Sequence, residues 1–80
     1  MLTYNVLLFA GLSEACGQAS LLVQVADGAS VADLLRAAEL VQAGLKNQTF
    51  RVAVNSRYVE ASATLPANAE IAFIPPVSGG

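Results

Sequence analysis

The sequence contains no histidine and a single cysteine, Cys16. Without histidine there is no imidazole base for a Ser–His or Cys–His dyad, and one thiol can form neither an internal disulfide nor a cysteine zinc cluster. A lone cysteine also agrees with a reducing compartment. Charge is scarce: Asp, Glu, Lys and Arg make up 12% of the 80 residues, against about 25% in soluble domains. The 4 basic residues, Arg36, Lys46, Arg51 and Arg57, are scattered, and a net charge of −2 gives no footprint for a phosphate backbone, so no nucleic-acid partner is expected. Long apolar runs are missing as well. None approaches the roughly 20 residues of a membrane span, and Met1-Leu2-Thr3-Tyr4 lacks the basic stretch of a signal peptide, so a cytoplasmic location with no membrane partner is expected.

What the chain has in abundance is apolar side chains, at 55%. A chain of this length buries only about 60–65% of its unfolded surface and supports one core. Part of the apolar content is therefore expected to stay exposed, and a contiguous exposed apolar patch points to a protein partner.

Leu2 to Phe9 alternates as a strand, with Leu2, Tyr4, Val6 and Leu8 on one face and Thr3, Asn5, Leu7 and Phe9 on the other. Ala10 to Gln18, carrying Gly11, Ser13 and Gly17, reads as a connection, and Ala19 to Val25 as a second strand. Asp27-Gly28 signals a turn, and Ser30 stands where an N-cap belongs, with Asp33 three residues on. The helical spacing of Val31, Leu34, Leu35, Ala38 and Val41 predicts a helix over about residues 31–43, with Gly44 ending it in a left-handed conformation. Phe50 to Asn55 and Arg57 to Glu60 read as short strands around an Asn55-Ser56 turn, Leu65 to Asn68 as another turn, and Glu70 to Ile74 as a last strand with Ile71 and Phe73 on one face. This order, with one main helix to cover one face of a mixed sheet, predicts an α+β, ubiquitin-like β-grasp domain over residues 1–74.

No side-chain active site emerges. No two carboxylates stand at i, i+3 or i+4, so a metal site or an acid–base pair is not expected. Cys16 has no basic neighbour in sequence to activate it and reads as a packed or loop residue. Asp33, Arg36 and Glu39 read as a solvated helix face with weak ion pairs.

The informative segment is Phe73-Ile74-Pro75-Pro76-Val77-Ser78-Gly79-Gly80. Two prolines remove two amide donors, so the sheet ladder should stop by Pro75 and residues 75–80 should form a flexible extended tail. At roughly 3.3–3.6 Å per residue such a tail reaches about 20 Å, enough to enter another protein's active site. Gly79-Gly80 lets a backbone pass a narrow channel and leaves the carboxyl carbon unhindered. An ionised α-carboxylate resists nucleophiles, so chemistry at Gly80 requires prior activation, most simply adenylation with ATP.

At these residues the chain resembles a known family. Leu8-Phe9-Ala10-Gly11-Leu12, Gly28-Ala29-Ser30-Val31-Ala32-Asp33-Leu34-Leu35, Val52-Ala53-Val54-Asn55 and above all Phe73 to Gly80 resemble the small subunit of molybdopterin synthase, a ubiquitin-like sulfur carrier. The resemblance implies that an E1-like adenylating enzyme uses ATP to activate Gly80 and that sulfur replaces the adenylate to give a thiocarboxylate. It further implies that the tail delivers this sulfur inside the large subunit of molybdopterin synthase, where precursor Z, cyclic pyranopterin monophosphate, becomes molybdopterin. The small subunit holds no cofactor of its own in this scheme, and the complete synthase is a heterotetramer of two small and two large subunits. Carried onto this sequence, Gly80 is the reacting residue, Gly79 gives slenderness, Pro75, Pro76, Val77 and Ser78 thread the partner's pocket, and Phe73 and Pro75 form an apolar contact rim. The remaining readings are a carrier for thiazole or cysteine synthesis, a ubiquitin-like modifier joined to lysines, and an interaction domain whose glycine end is inert.

Overall fold

A computed structural model describes residues 1–76, so the tail residues Val77, Ser78, Gly79 and Gly80 lie outside the described residues. The elements are β1 (Leu2–Leu8), α1 (Gly11–Cys16), β2 (Ser20–Val25), α2 (Val31–Val41), a 3₁₀ turn (Ala43–Asn47), β3 (Arg51–Val54), β4 (Arg57–Val59) and β5 (Ile71–Ile74). The strands form one mixed sheet in the order β2-β1-β5-β3-β4. β1 and β5 run parallel at its centre, and the other neighbours are antiparallel.

Period-two alternation places Tyr4, Val6 and Leu8 of β1, Leu21, Val23 and Val25 of β2, and Ile71 and Phe73 of β5 in the core, where Val31, Leu34 and Ala38 of α2 meet them. Side chains such as Val6, Leu34 and Phe73 are wholly out of solvent, and each full burial of this kind contributes about 1.5–3 kcal/mol. The Tyr4 hydroxyl, at the edge of this core, donates to the Pro66 carbonyl at 2.8 Å and pins the 65–70 connection. Among the described residues no polar or charged residue is buried, and no helix is long and apolar enough to cross a membrane.

The start of α2 is fixed by local chemistry. Ser30 accepts from the Asp33 amide through its hydroxyl at 3.2 Å, and Asp33 Oδ2 accepts from the Ser30 amide at 3.0 Å, forming a reciprocal capping box. Two further first-turn donors, the amides of Val31 and Ala32, reach the carbonyls of Ala63 and Ala61, so the returning loop completes the cap. These bonds hold the Asp33 carboxyl below its ordinary range, first through the Ser30 amide and then its hydroxyl, with the Arg36 charge adding to them. A lowered folded value means that this contribution is present above the unfolded carboxylate range and is lost as the pH falls through the folded one. Ser30→Ala is expected to lower stability by about 1 kcal/mol at neutral pH. The same change raises the Asp33 value, and its stability deficit narrows in acid. Thermal melts from pH 7 down to pH 2, with an NMR titration of Asp33, check both; a deficit independent of pH would remove Asp33 from the cap.

Four expectations are corrected. The connection after β1 contains a six-residue helix, α1, held down by buried Leu12 and closed by left-handed Gly17. α2 stops at Val41, because extended Gln42 (φ −138°) ends it and turns its side chain back to accept from the Gly44 amide and to donate to the Cys16 carbonyl. Gly44 therefore does not terminate the helix in a left-handed conformation. It lies within the 3₁₀ turn, where a β-carbon would stand 3.2 Å from the Ala15 carbonyl oxygen, so its smallness lets α1 and the turn pack closely. Val41, expected on the core face, is 57% exposed.

Candidate functional site

Pro75 follows Ile74, the last residue of the β5 ladder, which pairs with Arg51. The tail thus leaves from the central strand pair, with Pro75 half-buried and Pro76 exposed. What stands beside this exit is decided by the face of the sheet that α2 does not cover. One row of side chains crosses four strands there: Leu7 is level with Ala72, Ala72 with Ala53, and Ala53 with Tyr58. The two alanines in the middle leave a floor, while Leu7 and Tyr58 rise at its ends. Phe9 and Ile74 add the next row, and Ser56 and Glu70 give a polar margin. The result is an apolar groove of about 350 Å³ beside the base of the tail. Phe9 and Tyr58 are 47% and 52% exposed. The Arg51 guanidinium lies 4.0 Å from the centre of the Tyr58 ring, which fixes that ring by a cation–π contact and sets one positive charge at the margin.

Phe73 is not part of any contact rim. It points with Ile71 into the core, is fully buried, and stacks on Phe50 with ring centres 4.6 Å apart. The period of two forbids Phe73 and Ile74 from sharing a face, and it is Ile74 that reaches the groove. The apolar surface beside the tail is instead made by Leu7, Phe9, Ala53, Tyr58, Ala72 and Ile74. Its signal in the sequence was the placement of Leu7 and Phe9 on the face opposite the core residues of β1.

Cys16 ends α1 half-buried, and burial pushes its thiol up, the opposite of activation. Asp33 and Arg36 form the expected exposed ion pair on α2. Among the described residues no three Cys, Asp or Glu side chains gather into a metal site.

No curated protein matches the chain. Solved structures do. SAMP1 from Haloferax volcanii superposes with a TM-score of 0.87 at 28% identity, over 98% of this chain and 99% of that one. The small archaeal modifier protein 1 from Methanosarcina acetivorans matches with a TM-score of 0.75 at 28% identity, over 100% and 98%. Subunit 1 of a putative molybdopterin converting factor from Pyrococcus furiosus gives a TM-score of 0.86 at 23% identity, over 96% and 100%, and so shares the fold. These neighbours confirm the ubiquitin-like β-grasp expected from the element order. The model of the ThiS family matches residues 6–80, which includes every residue of the groove and the whole tail, and the chain belongs to that family.

Proposed function

We propose that this chain is a sulfur carrier of molybdenum cofactor biosynthesis, acting through a thiocarboxylate on Gly80 as the small subunit of a molybdopterin synthase. The observation that carries the proposal is the segment Phe73 to Gly80 itself: a Pro-Pro break after the central strand, then Val77-Ser78-Gly79-Gly80, within a ThiS family match. Its support in the fold is that the segment departs beside an apolar groove, which gives a partner a surface to hold while it works on the chain end.

The chemistry follows from the carboxylate. An E1-like enzyme joins the Gly80 carboxylate to the adenylyl group of ATP and releases pyrophosphate. A sulfur nucleophile then attacks the activated carbonyl carbon, AMP departs, and the thiocarboxylate remains. In the large subunit of molybdopterin synthase its sulfur bonds to a carbon of precursor Z as an oxygen leaves that carbon, and water then cleaves the acyl C–S bond, which leaves one sulfur on the product and returns the Gly80 carboxylate for another cycle. Pro75, Pro76, Val77 and Ser78 span the distance, and Gly79 and Gly80 fit the narrow end of the partner's pocket. The small chain supplies no acid or base to these steps; its part is to present and hold the tail.

A second reading has an observation in its favour, since two of the similar structures, at 28% identity, are named modifier proteins. In a modifier the same adenylate passes to a lysine amine of another protein in place of sulfur. One experiment tests both: intact mass spectrometry after incubation with ATP, a sulfur source, the activating enzyme and the large subunit from the same organism. A covalent gain of about 16 Da at Gly80, one oxygen exchanged for sulfur, and its loss on addition of precursor Z, are expected. An isopeptide between Gly80 and lysines, with no sulfur gain, would replace the carrier by the modifier. An unchanged mass with an enzyme active on another carrier would sink both.

A further inference from the structure

β2 is an edge strand of the sheet, and its free backbone groups can be assigned. The Leu8 amide donates to the Ala19 carbonyl at 2.8 Å, and the β1–β2 register continues as Val6 with Leu21, Tyr4 with Val23 and Leu2 with Val25. Bonded and non-bonded pairs alternate in an antiparallel ladder, so Leu21, Val23 and Val25 face β1 while Ser20, Leu22 and Gln24 turn their amides and carbonyls outward. The Gln18 side chain caps the Ser20 carbonyl at 2.8 Å. Among the described residues nothing bonds the backbone of Leu22 or Gln24 along this edge.

The two edges of the sheet are treated differently. β4 is three residues long, carries Arg57 and lies under the Arg51–Tyr58 contact, which are the usual means of keeping an edge from pairing. β2 runs six residues, Ser-Leu-Leu-Val-Gln-Val, without a charge, proline or glycine. Apolar surface gathers beside it as well. Of the six large apolar side chains left exposed, Phe9 and Tyr58 belong to the groove by the tail, and the other four, Met1, Leu22, Leu40 and Val41, lie at the β2 side. Leu22 is 66% and Leu40 87% exposed.

We infer that this edge pairs with the β2 edge of a second copy, antiparallel about a two-fold axis through Leu22. The occupant is a strand because the unmet groups are a strand's own amides and carbonyls at strand spacing. It is a copy of this chain because the edge complements itself. With Leu22 opposite Leu22 of the other copy, Ser20 falls opposite Gln24, no charges meet, and Leu40 and Val41 are carried into the joint with Leu22, whose groove they share. A folded edge also enters the pair already ordered, whereas a disordered peptide would lose its chain entropy on binding. The joined sheet would hold ten strands in two copies of five. The groove beside Ile74 lies on the far side of β1 and stays open, so the pair presents two tails. This inference does not rest on the sulfur-carrier reading.

Sedimentation equilibrium of the full chain tests it. The mass should rise from the 8.2 kDa of one chain towards twice that value as concentration increases from about 10 μM to about 1 mM, the behaviour of a small interface. Leu22→Lys, at an exposed position that leaves the core intact, puts like charges opposite each other at the axis and should return the mass to one chain. An equimolar mixture of Leu22→Lys and Leu22→Glu should restore the dimer mass. A wild-type chain that stays monomeric throughout would overturn self-pairing and leave the edge to a strand of another protein. A Leu22→Lys chain that keeps the dimer mass would place the contact elsewhere, and a mixture that stays monomeric would overturn the register.

Discussion

Replacing Phe73 by alanine is expected to lower the melting temperature by about 12–40 °C, because the loss of a buried phenylalanine costs about 3–5 kcal/mol and each kcal/mol moves a domain of this size by about 4–8 °C. The ring is fully buried and stacked on Phe50, so its removal leaves both a cavity and an unsupported neighbour in the middle of the sheet. Total stability for 80 residues is on the order of 4–12 kcal/mol, so the substitution removes from about a quarter to all of it. A residue on an exposed rim would behave otherwise, losing partner affinity with an unchanged melt. Circular dichroism melts of Phe73→Ala beside Pro75→Ala separate the two: Phe73→Ala should collapse the transition, while Pro75→Ala, just beyond the ladder, should barely move it. A Phe73→Ala melt within a few degrees of wild type would return Phe73 to the surface. The comparison also guards against misreading, since a chain that no longer folds loses every partner for reasons unrelated to the tail.

How far the sequence carried this structure follows from the range of the interactions involved. β1, β2, β5 and the start of α2 were legible because their signals are local: alternation over four to seven residues, and a Ser-x-x-Asp cap. The ladder's end at Ile74 was legible because two prolines leave no other outcome. α1 was not, since a six-residue helix has too few internal bonds to stand alone. It exists because Leu12 reaches the core and because Ala10 accepts a positive φ of 46°, which its composition does not announce. The end of α2 was misplaced for a related reason: the stop is Gln42 bonding to Cys16, 26 residues away in the chain. The groove lay deeper still. Leu7, Ala72, Ala53 and Tyr58 become a row only when four strands adopt one register, and no window of sequence contains them. The reading of the tail motif, by contrast, rests on residue identity alone, and four of its residues lie outside the described ones.

A chain ending at Ser78 should take up no sulfur at all, yet it should compete with the full chain for the activating enzyme. On the proposed reading, deletion of Gly79-Gly80 removes the carboxylate that would receive the adenylyl group; the new α-carboxylate on Ser78 stands two residues, about 7 Å of extended chain, short of that position, and Cys16 offers no substitute, since it sits at a half-buried helix end and its thiol is pushed up by burial. The fold should be untouched, because the core and the groove are built from residues up to Ile74. Recognition and chemistry thereby become separable. Phe9→Asp in the shortened chain places a carboxylate at the lip of the groove, 47% exposed when free but desolvated on docking. A charge that loses water without gaining a partner should weaken competition by at least about tenfold, or 1.4 kcal/mol. Loading of full-length chain, followed by intact mass against increasing competitor, reads both effects. If the shortened chain does not compete, recognition resides in the last two glycines and the groove serves some other contact. If it competes equally with and without Phe9→Asp, docking uses another face. If it competes and Phe9→Asp abolishes this, the enzyme holds the domain by the sheet face and works on the tail, and the row of alanines under Leu7 and Tyr58 is a binding surface.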